Sequence, residues 1–239
     1  MTDLMTGAAQ PADDPLCLAE VDLFRDLTRR EKAALGARAP LHTVAPGQVV
    51  YSPLHPSPVL LIVKRGRVRL YRVARDGRTV TTTVLGPGTV FGEMDLLGLR
   101  MGATWAEALE PGELCLMSRS DVRQLLFADP RIAVRIAEQL SNRICDLEQR
   151  LADLTCKTLD ERLAATLCQL ARHTPAEPVR LTHQQLAALV GATRERTTTA
   201  LGELARHDLI GLRRGRILVR HPARLAAYAD GARSVAPAE

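Results

Sequence analysis

The chain has 239 residues, a formal net charge of +5 and a hydrophobic content of 46%. That length exceeds one ordinary hydrophobic core and favours two domains of roughly 100 residues each. No apolar run approaches the ~20 residues that a membrane span needs, and the chain does not open on a signal-peptide pattern. We therefore expect a cytoplasmic protein with no membrane partner, whose residues 1–15 form a disordered tail.

The positive charge lies in the last third of the chain. From residue 157 onward there are 13 Lys and Arg against 8 Asp and Glu, whereas residues 1–156 hold 19 of each kind. A basic segment beside a neutral body suggests a polyanionic partner for that segment. A merely solvated basic surface is the alternative that charge alone leaves open.

The cysteines are too scattered to build a site. An odd number in a cytosolic chain argues against a disulfide framework, and iron–sulfur clusters need grouped thiolates. The five are Cys17, Cys115, Cys145, Cys156 and Cys168, none at a close metal-ligand spacing. We therefore predict no metal and no cofactor.

Residues 16–119 are predicted to form one sensor-like domain that begins with a helix over 16–38. A capping box at 28–31 supports this helix. Short β-branched runs then alternate with glycine and proline, and Asp76-Gly77 is typical of a tight hairpin turn. Several short strands at this spacing indicate a small antiparallel barrel or sandwich; the clearest runs are 49–51, 59–63, 68–73 and 79–85.

Residues 120–156 are predicted to form a long helix with a narrow apolar seam. The seam follows the 4-3-4-3 spacing of a coiled coil, with polar residues between its members. It consists of Leu140, Ile144, Leu147, Leu151 and Leu154. Such a stripe is best buried against its own copy, which predicts a homodimer; packing against the chain's own barrel is the alternative.

Residues 157–232 are predicted to form a DNA-binding domain. Thr182 caps a short amphipathic helix that ends at Gly191, and Thr193 caps a second helix. Two such helices joined by a glycine turn form a helix-turn-helix. The inner face of the second helix is predicted to be Thr197, Ala200, Leu201 and Leu204. A hairpin wing over 210–219, turning at Gly215, follows it.

The start of the second helix carries side chains that suit base recognition. In this motif that end enters the major groove, where Arg binds guanine, Glu accepts from cytosine, and Thr bonds a base edge or contacts a thymine methyl. The predicted base readers are Arg194, Glu195, Thr198 and Thr199. The predicted phosphate contacts are Thr182, His183, Thr193, Arg196, Arg213, Arg214 and Arg216. Ordinary helix capping is the alternative for the polar residues.

The whole arrangement resembles the cyclic-AMP receptor protein/FNR (CRP/FNR) family, from about residue 21 to 219. The segment LGPGTVFGEM at 85–94 is similar to the entry of the family's phosphate cassette, and 181–212 resembles its helix-turn-helix. The resemblance implies an α+β fold with an N-terminal cyclic-nucleotide-binding-like β-roll (jelly roll), a long dimerisation helix and a C-terminal winged helix-turn-helix. It also implies a transcription regulator, more often an activator, that binds palindromic double-stranded DNA as a homodimer and contacts RNA polymerase.

The cassette departs from the members of the family that bind cyclic AMP. Glu93 matches the ribose-binding Glu, but Met101 and Gly102 stand where an Arg-Ser pair is expected. Asp95 adds negative charge where an anion would sit. We therefore expect no cyclic-AMP dependence, and interpret Gly92 and Glu93 as fold residues. The alternative is a cyclic-nucleotide-responsive regulator with an atypical cassette of Gly92, Glu93 and Arg100.

Two further comparisons with the family sharpen the hypothesis. Leu147 and Glu148 replace the hydroxyl pair that meets adenine, and His42 and His55 do not stand as haem ligands. The family's Arg-Glu dipeptide matches Arg194-Glu195, whereas its second base-reading Arg falls on Thr199. The half-site should therefore overlap a TGTGA-type consensus and relax under Thr199. No catalytic triad, P-loop or dinucleotide motif points to an enzyme.

Overall fold

The computed structural model describes residues 39–171 and 178–231, together with Phe24, Thr28 and Arg30. The predicted tail at 1–15, nearly all of the helix over 16–38 with its capping box, Cys17 and residue 232 lie outside the described residues. The described chain divides into two compact units. Of the described residues, those up to 77 and 82–145 form one unit, and 78–81 with those from 146 to 231 form the other.

The first unit is built on two four-stranded sheets, with strand orders β1-β8-β3-β6 and β2-β7-β4-β5. The strands are β1 Leu41–Val44, β2 Val49–Tyr51, β3 Val59–Arg65, β4 Val68–Val73, β5 Thr79–Leu85, β6 Val90–Gly92, β7 Trp105–Ala108 and β8 Gly112–Ser118. The pairs β1–β8, β3–β8, β3–β6, β2–β7 and β4–β7 are antiparallel. The predicted strand runs are confirmed, and Gly77 (φ 80°) makes the predicted turn between β4 and β5.

Strand β3 divides the core of this unit into two clusters because its successive side chains point to opposite faces. Leu60 and Ile62 join a cluster that includes helical residues. Leu61 and Val63 join a cluster formed with the second sheet, whose β4 supplies Leu70. A strand buried on both faces explains the continuous apolar run at 59–63.

The segment predicted as one long helix from residue 120 consists of two helices, α1 Arg119–Ala128 and α2 Arg131–Cys156. Pro130 separates them, since a residue before proline avoids the helical region, and Asp129 is extended (φ −144°, ψ 96°). Its carboxylate then accepts from the backbone N–H of Arg131 at 3.0 Å. Side chains of α1 and of the first turns of α2 lie in the β-roll core, so the extended apolar seam belongs to α2 alone.

The second unit contains the predicted helix-turn-helix and wing. Its elements are α3 Leu159–Ala171, α4 His183–Val190, α5 Arg194–Arg206, β9 Ile210–Arg213, β10 Arg216–Val219 and α6 Pro222–Ala229. The strands β9 and β10 pair antiparallel, with Arg213 opposite Arg216. The predicted inner face of α5 is confirmed, because Thr197, Ala200, Leu201 and Leu204 are all buried.

Candidate nucleic-acid interface

Helix α4 begins with a complete capping box. The Thr182 hydroxyl accepts from the backbone N–H of Gln185 at 3.2 Å, and the Gln185 side chain accepts from the Thr182 backbone N–H at 2.8 Å. These two bonds satisfy amide groups that a helix start leaves unpaired. The box fixes where α4 begins, and therefore where His183 stands.

The turn between α4 and α5 depends on Gly191. This residue has φ 66° and ψ 43°, the left-handed conformation that glycine adopts without cost. Two residues later Thr193 caps α5, with its hydroxyl accepting from the backbone N–H of Arg196 at 3.3 Å. Thr193, predicted as a phosphate contact, is thus the N-cap of the recognition helix.

The first turn of α5 holds Glu195 in its charged form. A hydrogen bond from its own backbone N–H, then one from the Thr193 hydroxyl and the charge of Arg194, lower the pKa of this carboxyl below its usual range. A carboxylate accepts hydrogen bonds only. Glu195 therefore presents only acceptors, the chemistry that would suit the N4 amino group of cytosine.

Five of the predicted contact residues line one groove in the second unit. This contact groove lies where the start of α4, the start of α5 and the wing meet, and three arginines give it a cationic character. Its lining residues are Leu181, Thr182, His183, Gln184, Arg194, Arg213, Gly215, Arg216 and Ile217. Gln184 was not predicted; its position one residue into a helix that faces the groove was the signal available in the sequence.

Other predicted residues lie elsewhere. Arg196 and Thr199 line a second depression against the start of α3 and helix α6, together with the acidic Asp160 and Glu203. Arg214 is exposed at the tip of the wing, beside Gly215 (φ 67°). The structure therefore brings Arg194 together with the wing but separates it from Arg196.

His183 is held by the recognition helix. Its Nδ1 lies 2.9 Å from the hydroxyl oxygen of Thr198, and that hydroxyl lies 2.9 Å from the Arg194 carbonyl oxygen. A carbonyl only accepts, so the single hydroxyl hydrogen of Thr198 goes to Arg194, and Nδ1 of His183 is the donor to Thr198. This leaves Nε2 as the imidazole nitrogen available to a ligand.

The cassette in the first unit has a different character. Gly92 has φ 125°, and a Cβ there would lie 2.3 Å from the Val59 carbonyl oxygen. Glu93 accepts from the backbone N–H of Met101 at 2.8 Å and from the Tyr51 hydroxyl at 3.4 Å. Burial, followed by the charge and the hydrogen bond of Glu93, raises the pKa of Tyr51. Gly92 and Glu93 are therefore both engaged by other residues of the same unit.

Met101 occupies the position where a phosphate-binding Arg was expected. Its side chain is 5% exposed and belongs to the cluster between the two sheets, with Leu70, Leu85 and Phe91. Asp95 pairs on the surface with Arg119 at 3.0 Å, while Arg100 is exposed. Of the three residues named as a possible effector pocket, Gly92 and Glu93 make contacts within the fold, and Arg100 is exposed.

Helix α2 leaves four of its five seam residues exposed. Ile144 is 56% exposed, Leu147 39%, Leu151 66% and Leu154 49%, while Leu140 packs against the β-roll core. In the part of the chain that the structure describes, no helix is long and apolar enough to cross a membrane. The same residues contain no cluster of three or more potential metal ligands.

Two family models match the chain, one in each unit. Residues 41–129 match the cyclic nucleotide-binding domain, and residues 161–228 match the Crp-like helix-turn-helix domain. This combination, with the groove at the start of α5, defines a DNA-binding transcription regulator with a cyclic-nucleotide-binding-type domain in front of it.

Known relatives place the chain in a family. The cyclic AMP receptor protein of Thermus thermophilus is 34% identical over 172 residues, which is 72% of this chain and 80% of that protein. A CRP/FNR-family transcriptional regulator of the same organism is 29% identical, with a TM-score of 0.66 over 80% of this chain and 98% of that chain. A global regulator of Xanthomonas campestris, described as c-di-GMP responsive, is 26% identical with a TM-score of 0.66, over 77% and 95% of the two chains.

The chain belongs to the CRP/FNR family of transcription regulators. It is therefore a DNA-binding regulator with an α+β fold and not an enzyme.

Proposed function

We propose that this regulator binds a palindromic DNA site as a homodimer, without needing cyclic AMP, and activates transcription in the cytoplasm by contacting RNA polymerase. The observation that carries the proposal is the contact groove, where the start of α5 and the wing arginines face one surface. In this motif the recognition helix enters the major groove, and flanking cationic residues contact phosphates.

The roles divide by position. Arg194 and Glu195 stand in the first turn of α5, where they read a G·C pair and its neighbour. His183 and Thr182 at the start of α4, with Arg213, Arg214 and Arg216 of the wing, bind the flanking phosphates. Arg196 and Thr193 contact the backbone from the other side of the α5 start. Thr198 and Thr199 complete the reading surface.

The dimer is supported by the apolar seam of α2, which the chain's own β-roll leaves exposed beyond Leu140. In a parallel two-stranded coiled coil with Ile144 and Leu147 at the core positions, Arg143 of one helix and Glu148 of the other take flanking positions five residues apart. That is the spacing of interhelical ion pairs. A two-fold protein reads a two-fold site, with half-sites about one helical turn apart.

Independence from cyclic AMP is supported by the cassette. Glu93 is already engaged by two donors of its own chain, and Met101 fills the space between the sheets. A cyclic phosphate there would also lack the charge-assisted bond that the expected Arg supplies. The Thermus relative is named a cyclic AMP receptor, so this chain is proposed to differ from it in the cassette.

Site selection from random DNA with the purified full-length protein, without nucleotide, tests the proposal. We expect the selection to enrich palindromes. In mobility-shift assays, binding to them should be tight and sensitive to salt. Adding cyclic AMP or cyclic GMP should not change the affinity. Enrichment of single half-sites would contradict the dimer. A rise in affinity or melting temperature on adding either nucleotide would favour the atypical cassette with Arg100 instead.

A pair of variants separates dimer formation from general damage to α2. Leu151→Lys places a charge in the seam. Ala152→Lys places the same charge on the neighbouring residue, which is exposed and does not belong to the seam. We expect only Leu151→Lys to give monomers in sedimentation and to lose palindrome selectivity. In vitro transcription with the selected site upstream of a promoter then tests activation by this protein.

A further inference from the structure

The recognition helix uses three consecutive threonine hydroxyls within its own backbone. Thr197 donates to the Thr193 carbonyl at 2.9 Å, Thr198 to the Arg194 carbonyl at 2.9 Å, and Thr199 to the Glu195 carbonyl at 3.2 Å. A hydroxyl has one hydrogen. In this arrangement none of the three has a hydrogen left to donate to a base.

The three threonines differ in which of their groups remain available to a ligand. Thr197 is fully buried, and Thr198 also accepts from Nδ1 of His183 at 2.9 Å. Thr199 is exposed. It keeps its methyl group and its oxygen lone pairs for a ligand.

Gly202 follows three residues later on the same face of α5 as Glu195 and Thr199, since residues three and four apart share a helix face. Its backbone is helical, and a Cβ there would meet no atom within 4 Å. Glycine weakens a helix interior relative to alanine, and no contact among the described residues requires a glycine at this position. A departure from local preference without an internal reason marks a functional position.

We propose that Thr199 and Gly202 form a shallow apolar subsite on α5 that receives the 5-methyl group of one thymine in each half-site. The proposal rests on the proposed binding of α5 in the major groove. There thymine displays its methyl beside the O4 acceptor, and guanine displays two acceptors. Thr199 has no hydrogen to donate to an acceptor, whereas its methyl and the open space over Gly202 suit a methyl group.

Replacing thymine by deoxyuridine, one position at a time in the selected site, removes that methyl and nothing else. We expect one position per half-site to respond, with affinity falling about fourfold for one half-site and about fifteenfold for both, the effect of losing one buried methyl-sized group. A second test replaces the thymine–adenine pair at that position by a cytosine–guanine pair, with and without a methyl group on C5 of the cytosine. The site with 5-methylcytosine should bind more tightly than the site with unmethylated cytosine, because it restores the methyl group.

Two matched variants separate the methyl from the hydroxyl of Thr199. Thr199→Val keeps the branched shape and a methyl, so it should keep both affinity and the deoxyuridine response. Thr199→Ser keeps the hydroxyl and loses the methyl, so it should lose affinity and respond less to deoxyuridine. Gly202→Ala should raise the melting temperature while weakening binding to the thymine site. Circular dichroism checks that each variant is folded.

The outcomes distinguish this inference from the function on which it rests. Selective binding with no deoxyuridine response at any position would overturn the subsite. So would retained affinity in Thr199→Ser with loss in Thr199→Val, because the hydroxyl would then read an amino group of cytosine or adenine. Absence of selective DNA binding by the unchanged protein would instead remove the proposed function itself.

Discussion

The cassette around Glu93 and the contact groove at the start of α5 both carry residues that match the family's motifs, yet the structure uses them differently. Glu93 accepts two hydrogen bonds from its own chain, and Met101 fills the neighbouring core. In the groove, Arg194, Arg213 and Arg216 line an open surface instead. A motif residue therefore indicates ligand binding most strongly where the fold leaves its polar atoms and the adjoining space available.

The energetics of the cassette and of the contact groove support the same contrast. The half-buried carboxylate of Glu93 stabilises the fold through the two hydrogen bonds that it accepts. Clustered arginines repel one another in the free protein, and a polyanion relieves that repulsion. The first region is therefore stabilised by contacts within its own unit, whereas the second presents positive charge that bound DNA would neutralise.

The largest expected effect comes from removing a base reader in the groove. We expect Arg194→Ala to weaken binding to the selected site by about 1–3 kcal/mol per half-site, the value of a bidentate contact with guanine. Mobility shifts on the selected site and on random DNA measure the difference. The loss should fall mainly on the selected site. Arg206→Ala, at the other end of α5, is the control; an equal loss on both DNAs would show that Arg194 contacts only phosphate.

In the cassette we expect a substitution to change stability and to leave DNA affinity unchanged. Glu93→Ala leaves the Met101 N–H and the Tyr51 hydroxyl without their acceptor, so we expect the free energy of unfolding to fall by about 1–3 kcal/mol, with unchanged DNA affinity well below the melting temperature. Denaturant unfolding measures it. Asp95→Ala removes an exposed carboxylate paired with Arg119 and should cost at most about 1 kcal/mol. Unchanged stability in Glu93→Ala would break the contrast between the two regions.

Much of the groove could be predicted because its determinants are local. Thr182, Gly191 and Thr193 act within one or two helical turns, and the inner face of α5 follows from the period of the helix. The strand runs were predictable for the same reason, since each combines β-branched residues with a turn at its end. Neither depends on contacts between distant segments.

Other features of the fold and of the site depend on packing between distant segments, which the spacing of residues in the sequence does not encode. The break between α1 and α2 is the exception: Pro130 signals it locally, because a residue before proline avoids the helical region, and Asp129 is extended as that rule predicts. The burial of Met101 requires both sheets to be in place. The placement of Arg196 against α3 rather than beside the wing likewise follows from how three helices pack.

A smaller effect is expected from the wing, and it tests whether the groove arginines act through charge. Removing one phosphate contact with Arg213→Ala should lower the slope of log affinity against log salt by about 1 per protomer, equally for all DNA sequences. Titrations from low to physiological salt measure the slope. Arg213→Lys keeps the charge and should keep the slope. A loss confined to one sequence would mean that Arg213 reads a base.

The smallest expected effect concerns the position of His183. Its Nδ1 lies 2.9 Å from the hydroxyl oxygen of Thr198, and its side chain lines the contact groove with Gln184, Arg194 and Arg213. Helix α5 therefore helps to hold this imidazole in the groove.

Thr198→Val removes the hydroxyl that holds the imidazole, so we expect affinity for the selected site to fall by about two- to tenfold, the range that corresponds to one hydrogen bond. Fluorescence anisotropy at fixed pH and ionic strength measures the loss. His183→Ala removes the imidazole itself and should cost at least as much. If Thr198→Val weakened binding by the same factor in the His183→Ala background, Thr198 would act on DNA independently of His183, because a positioning role makes the two effects non-additive.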